Sequence, residues 1–569
     1  MVIKLATTKE TRAIEEAADK AGISYKEMME RAGQAAANRA LAMLNGIESP
    51  FVTILVGPGN NGGDGLVTGL LIKQANERAE VRFYLLKERA EDDPYIQVAK
   101  EAEIFIALSE NDKDKRLLRN MVAQSDMVID ALFGIGIKLP LRDEAAQMLR
   151  AVKRGLNEST EQSDDQWAIN PIATPSAKPQ KPFVLAIDGP SGLDFDSGEL
   201  DSAALFADET VTFIGAKPGL IRFPGADAVG KLTVANLGIT DKVKPLKSVT
   251  NTLLDMQTVK ERMPERPLNS SKRSFGRAMV VAGSINFVGA VHFSASAAYR
   301  TGAGLVSIAT ARPVTSLLAS TTPEATWLLL PHDMGVISKE AAPIVLEEMG
   351  DRYSGMLIGP GLGQEETTRQ FVYDLLGQDK GKSDSKKRHL GFMATSEEAD
   401  NGEDDASNLP PLIIDADGLN VLSKDEKWWE RLPENTILTP HIGEMSRLTG
   451  MEINDIEADR LDAVSKHAKK WKAIVLLKGA HTLIADVDGT VTVLPFKNDA
   501  LATAGTGDVL SGIIVGLLAQ GLKPYDAACV GGYIHGMAGE YAAQDLHPRS
   551  VIASDVVNHI SAALTAITG

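Results

Sequence analysis

The 569-residue chain is 44% hydrophobic, 24% charged and 5% aromatic, a globular composition too long for a single hydrophobic core. A formal net charge of −17 leaves no basic excess to neutralise a nucleic-acid backbone, although backbone amides could still hold a nucleotide. The lone Cys529 excludes an intrachain disulfide and a cysteine-built zinc centre.

An amphipathic stretch from Lys9 to Leu44 precedes the first apolar strand, FVTILVG at 51–57. With no apolar signal core ahead of it, a cytoplasmic protein is expected. The strand runs into GPGNNGGDG (57–65), and the glycines predict a loop giving way to a helix near Leu66. Further strands are predicted at 80–86, 126–134, 183–190, 209–215 and 231–239, separated by helical lengths. That alternation predicts a parallel sheet covered on both faces. The first strand-end loop is not the GxGxxG dinucleotide fingerprint. Loops at the carboxyl edge of a parallel sheet are nevertheless the usual ligand site, and Asn60, Asn61 and Asp64 add side-chain hydrogen bonding there.

Two more strand ends carry acids, Asp130 in MVIDALFG and Asp188 in LAIDGPSGLD. A carboxylate closing an apolar strand is costly unless it is hydrogen-bonded, paired or bound to a cation; a helix cap or turn former is the simpler alternative for each. Lys138 follows Asp130 in a second glycine-containing loop. With Asp188 it would make a couple able to remove and return a proton at one carbon, which is epimerisation.

Residues 240–265 lack a strong core pattern, and the junction is set at 246–265, between domains at 1–245 and 266–569. Two stretches poor in apolar residues, 155–182 and 377–411, read as surface insertions. Second-half strands are predicted in RAMVVAGS, LVSIAT, MLIGPGLG, PLIIDADG, TILTPHIGE and AIVLLKGAHTLIAD, the last turning through Asp488–Gly489 into TVTVLPF as a hairpin. Their ends carry GPGLG (359–363), DADGLN (415–420), His441 and Glu444 of TPHIGE, and Lys478 of LLKGAHT. None of the nine histidines has zinc-ligand spacing. The most informative stretch is NDALATAGTGDVLSG (498–512), a glycine-rich turn feeding a helix. Free N–H groups and the helix dipole there hold phosphate or developing negative charge. Asp508 beside it is either a base for a substrate hydroxyl or a helix cap. The apolar run that follows, Val509 to Ala519, is well short of the ~20 residues of a membrane span.

PGNNGGDG, IDALFGIG and IDGPSGLD, in this order and spacing, resemble the NAD(P)HX epimerase family. The second-half motifs resemble its usual fusion partner, the ribokinase-like, ADP- or ATP-dependent NAD(P)H-hydrate dehydratase. The resemblance covers nearly the whole chain outside the two insertions. It implies two α/β domains, an N-terminal Rossmann-like three-layer α/β/α sandwich and a C-terminal ribokinase-like domain. The first would interconvert the R and S epimers of hydrated NADH or NADPH, and the second would dehydrate the S epimer at the expense of ADP or ATP.

The resemblance also assigns residues. Asn60, Asn61, Gly62, Gly63 and Asp64, the loop Gly134, Ile135, Gly136, Ile137, Lys138, Leu139 and Pro140, and Asp188 would hold the hydrated nucleotide. Asp188 and Lys138 would handle the proton, and Asn61, Asp130 and Ser191 would ligate potassium. In the second domain Ala290, Gly361, His441 and Asp508 would contact the substrate, with Asp508 as catalytic base. Lys478, Gly479, Ala480, His481, Thr482, Asn498, Gly505, Thr506 and Gly507 would contact the adenine nucleotide, which brings magnesium. The chain departs from the family's pattern at Ile442, Ala500 and Ala504. The expected partners are NADHX, NADPHX, ADP and ATP, without nucleic acid or membrane, in a homo-oligomer. The alternative within the same fold is a kinase for a hydroxymethyl or sugar substrate, fused to a nucleotide-binding domain.

Overall fold

Runs of Val, Ile and Leu alternate with helical lengths throughout, and the computed structural model, which describes residues 2–158, 181–240, 242–377 and 409–569, gathers them into two units, Ile3–Asn251 and Thr252–Gly569. The expected insertions at 155–182 and 377–411 lie almost wholly outside the described residues.

In the first unit, helices α1 (Thr8–Lys20) and α2 (Tyr25–Met43) precede strand β1 (Phe51–Val56). There follow α3 (Asn60–Ala75), β2 (Glu80–Leu85), α4 (Pro94–Glu101), β3 (Phe105–Leu108), α5 (Arg116–Ala123), β4 (Met127–Ala131), α6 (Asp143–Glu158), β5 (Phe183–Ile187), β6 (Glu209–Phe213) and β7 (Lys231–Ala235). The seven strands form one sheet in the order β3-β2-β1-β4-β5-β6-β7, and every pairing is parallel. Side chains of β1 alternate between two cores. Ile54 and Val56 pack with Ile129, Leu185 and the α1–α3 face, whereas Leu55 packs with Val128, Val184 and the Met148, Leu149 and Val152 face of α6. Each such side chain contributes about 1.5–3 kcal/mol by burial. The strand β3 is absent from the sequence-based expectation because it is a four-residue edge strand with Phe105 exposed. Connections diverge between β1 and β4, so their carboxyl ends open a crevice.

Helix α3 begins at Asn60, not near Leu66. The glycines that read as a loop are required by close packing: a Cβ at Gly65 would come 2.5 Å from the Cβ of Ala131, and one at Gly69 would come 2.6 Å from Ile54 and Phe83. NNGGDG is therefore the first turn and a half of a helix laid directly on the sheet.

The expected junction is also revised. Leu246 and Val249 belong to the first unit's core, and Leu254 and Val259 to the second's, so the chain crosses over at 251/252 with no free linker. The elements there are too short for a periodicity to register.

The second unit opens with β8 (Thr252–Leu253) and α7 (Met256–Arg262), then β9 (Arg277–Val281), α8 (Val288–Thr301), β10 (Leu305–Ala311), β11 (Thr326–Leu330) and β12 (Gly355–Ile358). It continues through β13 (Leu412–Ile414), α9 (Asp417–Leu422), β14 (Ile437–Leu438), α10 (Ile442–Thr449), α11 (Arg460–Trp471) and β15 (Ile474–Leu477). Last come β16 (Leu483–Ala485), β17 (Val491–Val493), α12 (Thr506–Ala519), α13 (Pro524–Asp545) and α14 (Ala553–Thr568). Its strands run in the order β8-β17-β16-β15-β14-β13-β12-β9-β10-β11. Pairings from β15 to β11 are parallel, and β15, β16 and β17 pair antiparallel as the expected hairpin. Gly512 and Gly516 of α12 let α8 approach closely, since Cβ atoms there would lie 2.3 Å from the Ser294 carbonyl and 2.8 Å from that of Ala298. That contact fixes where the first turn of α12 points.

Candidate functional site

A cavity of about 700 Å³ opens at the β1/β4 crevice of the first unit. Its wall takes Arg12, Glu15 and Met29 from α1 and α2, Asn60, Asn61 and Asp64 from the start of α3, Gly134 to Ile137 from the loop after β4, and Asp188 and Lys217. Asp188 follows β5 in the left-handed region, at φ +67°. Its Oδ1 accepts from Lys217 Nζ at 2.6 Å and from Thr212 Oγ1 at 3.1 Å, and its Oδ2 accepts from Ile135 N–H at 3.3 Å. Lys217 is 1% exposed and also donates to Thr212 Oγ1 at 2.7 Å and to the Phe213 carbonyl at 3.2 Å.

The expected couple of Asp188 with Lys138 is therefore corrected. Lys138 is exposed and lies outside the cavity wall, and the ammonium beside Asp188 is that of Lys217. Gly62, Gly63, Leu139 and Pro140 do not line the cavity either. The two glycines serve packing, since a Cβ at Gly62 would lie 2.0 Å from the Gly57 carbonyl and one at Gly63 2.6 Å from Met29 Sδ. Sequence reasoning missed Arg12, Glu15 and Lys217. The available signal for Lys217 was a lysine closing the carboxyl end of a predicted strand. Burial, then the Asp188 charge, raise both Asp64 and Glu15, with Asp64 held well above the usual carboxyl range.

Asp130 is wholly buried at the end of β4. Ser191 donates to it twice at 2.7 Å, from Oγ to Oδ1 and from its backbone N–H to Oδ2, and Leu132 N–H donates at 3.3 Å. Burial raises its pKa against these hydrogen bonds, and among the described residues no basic side chain pairs with it. Asn61 is 7% exposed, and among the described residues its side-chain Nδ2 and Oδ1 both lack a hydrogen-bond partner. An orphaned amide oxygen, a carboxylate without a counter-charge and a hydroxyl make an all-oxygen donor set that fits potassium.

The second unit gathers its polar groups at the carboxyl ends of β12 to β15. Asp415, 1% exposed, closes β13 and accepts from Lys478 Nζ at 2.8 Å; Glu444 Oε2 stands 3.7 Å from the same ammonium. Glu444 and His441 form a reciprocal cap on α10. The Glu444 carboxylate takes the His441 N–H at 2.8 Å, and His441 Nδ1 takes the N–H groups of Gly443 at 3.0 Å and Glu444 at 3.4 Å. Burial, then the Lys478 charge, lower the His441 pKa; with Nδ1 accepting from backbone N–H groups the ring hydrogen sits on Nε2, which stands 3.5 Å from Glu444 Oε1. Gly361 and Ala290 touch: at φ +62° a Cβ on Gly361 would come 3.0 Å from that of Ala290 and 2.6 Å from that of Phe287.

Asp508 is the third residue of α12, whose N-cap is Gly505 at φ +89°, so no side chain caps this helix. Burial, then the Asp415 carboxylate, push Asp508 up to about 7, against the pull of Lys478. A second cavity, about 470 Å³, brings together Lys478, Gly479, Ala480, Thr482, Asn498, Thr506 and Gly507 with His441. The His481 side chain does not join them. It turns inward to the Leu494 carbonyl at 3.2 Å, is buried, and is pushed down to about 4 by that burial. Gly505 is not in this wall and packs on Phe293 and Ala553. Leu494, Phe496, Leu501 and His535, unforeseen, supply an apolar slot. The Phe496 ring is set by Gly536, where a Cβ would meet it at 2.2 Å. The arrangement offers an anion-binding helix start and an ammonium for phosphates, a slot for a base, and a carboxyl near neutrality.

No helix among the described residues is long and apolar enough to cross a membrane. The family described as NAD(P)H-hydrate dehydratase matches residues 278–382 and 399–562, and the YjeF-related protein N-terminus family matches 25–219. The chain is 33% identical over 538 residues to a bifunctional NAD(P)H-hydrate repair enzyme of Moorella thermoacetica, covering 92% of this chain and 90% of that one. It is 31% identical over 554 residues to its namesake from Coxiella burnetii, covering 97% of each. A solved ADP/ATP-dependent NAD(P)H-hydrate dehydratase from Bacillus subtilis is 27% identical, with a TM-score of 0.44, and the match covers 55% of this chain and 98% of that one. Similarity of this extent across both units shows that the chain belongs to the family of bifunctional NAD(P)H-hydrate repair enzymes.

Proposed function

We propose that the first unit interconverts the R and S epimers of NAD(P)H-hydrate and that the second dehydrates the S epimer to NAD(P)H with consumption of ADP or ATP. The observation that carries this reading is Asp508, a carboxyl raised to about 7 beside an uncapped helix start and Lys478. It supports a base that takes the proton of the ring hydroxyl while that oxygen attacks the terminal phosphorus of the nucleotide. N–H groups of the α12 turn and Lys478 stabilise the phosphoryl charge. The phosphorylated hydroxyl then leaves as phosphate, a proton leaves the neighbouring carbon, and the ring double bond is restored. Magnesium would travel with the nucleotide phosphates, with Asp415 and Glu444 as the carboxylates at that end, and would neutralise phosphoryl charge.

In the first unit, inversion requires a bond at the hydroxyl-bearing carbon to be broken and remade on the other face, with a proton taken and returned. Asp188 faces the cavity and carries that proton. Potassium would be held by Asn61, Asp130 and Ser191 and would supply the positive charge that buried Asp130 lacks.

The test is to give the purified chain an epimer mixture of hydrated NADH with ADP or ATP and magnesium, and to follow dihydronicotinamide absorbance and free phosphate. Conversion of both epimers with equimolar phosphate release is expected. Accumulation of a phosphorylated hydrate without phosphate release would instead identify a small-molecule kinase.

A further inference from the structure

We infer that Lys217 is a positioning residue of epimerisation, anchoring one oxygen of Asp188 so that the other faces the substrate. The inference rests on the epimerase reading of the first unit. A lysine 1% exposed is costly, and a position needing only stability is better filled by an apolar side chain. All three donors of Lys217 are used, on Asp188 Oδ1, Thr212 Oγ1 and the Phe213 carbonyl. Thr212 in turn donates a hydrogen bond from its hydroxyl to the same Oδ1. Oδ1 is thus doubly engaged, whereas among the described residues Oδ2 accepts only the Ile135 N–H at 3.3 Å and keeps lone-pair capacity toward the cavity.

The backbone on both sides of the pair is strained to make it. Asp188 sits at φ +67°, and Ile214, three residues before Lys217, at φ +71°. A β-branched residue in the left-handed region is a genuine outlier, and such strain persists only where the surroundings impose it. At Gly215 the chain must pass Lys4, whose carbonyl would lie 2.7 Å from a Cβ. The turn from β6 is thus bent to deliver one ammonium to one carboxylate. Of the other cavity acids, Glu16 pairs with Lys20, and Asp64 and Glu15 form no ion pair among the described residues, so Lys217 singles out Asp188 among four carboxyls.

The experiment uses the full chain and reads epimerisation and S-epimer dehydration separately. In Lys217→Met, epimerisation kcat should fall about 100-fold, with KM within about threefold and dehydration unchanged. Lys217→Ala should regain epimerisation as methylammonium is added, but not with equal potassium chloride. Asp188→Asn combined with Lys217→Met should be no slower than Asp188→Asn alone. If a lone buried carboxylate unfolds the first unit of Lys217→Met, Lys217→Gln, which keeps a donor to Asp188, should fold and still lose about tenfold in kcat. Wild-type kcat in Lys217→Met or Lys217→Gln, or no rescue of Lys217→Ala by methylammonium, overturns the inference. A wild-type chain that fails to epimerise overturns the underlying reading instead.

Discussion

The Nζ of Lys478 lies 2.8 Å from Oδ1 of Asp415, and this ion pair flanks the first turn of α12, where Asp508 stands. The pair acts on Asp508 with opposite signs, because the Asp415 carboxylate raises its pKa and the Lys478 ammonium lowers it. A base works ionised, so dehydration kcat/KM should fall as pH drops through about 7 and level off above it. Asp415→Asn should move that limb to lower pH and Lys478→Met to higher pH. Asp508→Asn should abolish the limb and lower the rate by ~10²–10⁴. Since Gly505 is the cap, loss of an N-cap bond cannot account for such a drop. A pH–rate profile of Asp508→Asn parallel to the wild type would remove Asp508 as the base.

The elements legible in the chain are those whose physics is local. Strands such as Met127–Ala131 are buried on both faces and so read as continuous apolar runs; of the strand-end acids, Asp188 lines a cavity, Asp415 enters a buried ion pair and Asp130 accepts buried hydrogen bonds from Ser191. Contacts assembled across the fold escaped. Lys217 is 29 residues from Asp188, while Lys138 is recommended by its loop after Asp130 and by the family resemblance. The start of α3 was hidden because its glycines serve contact with Ala131, Ile54 and Phe83, a requirement visible only once helix and sheet are superposed. Phe496 and His535 enter the nucleotide slot from a hairpin and from α13, and neither carries a motif.

The crossover at 251/252 leads to a prediction about fragments. Residues 1–251 should keep epimerisation and residues 252–569 nucleotide-dependent dehydration. Ending the first fragment at 245 removes Leu246 and Val249, both within the first core. Each removes about 1.5–3 kcal/mol of burial, so the shorter fragment should unfold at markedly lower urea. Equal midpoints for the two fragments would show that these side chains add nothing.

Asp130 and Asn61 bear on the proposed potassium site. Epimerisation in potassium should exceed that in an equal concentration of tetramethylammonium, which is too large to replace potassium at the proposed site of Asn61, Asp130 and Ser191. Asp130→Asn removes the charge and should reduce both the rate and its response to potassium. Dehydration of pure S epimer serves as the control and should not change. Identical epimerisation in both salts, for wild type and variant alike, would discard the potassium site.

Two glycines of the first unit should separate stability from catalysis. At Gly57 an added Cβ would lie 1.8 Å from the Leu132 carbonyl, a backbone atom just beyond the end of the central strand β4. Gly57→Ala should therefore destabilise the first unit by about 1–3 kcal/mol, or more if the strand ends cannot part. At Gly134 the nearest atom to an added Cβ is instead Asp188 Oδ2, at 2.9 Å, the tip of a side chain. The backbone can stay while the carboxylate swings, so Gly134→Ala should melt within a few degrees of wild type. Its cost should appear in chemistry, because Oδ2 is the oxygen left open to the cavity and the methyl would displace it. Epimerisation kcat should fall about tenfold or more, since a base is effective only within hydrogen-bond reach of its proton. Dehydration again serves as the control. A Gly134→Ala chain that folds normally and epimerises at the wild-type rate would show that the Oδ2 side of Asp188 does not face the substrate.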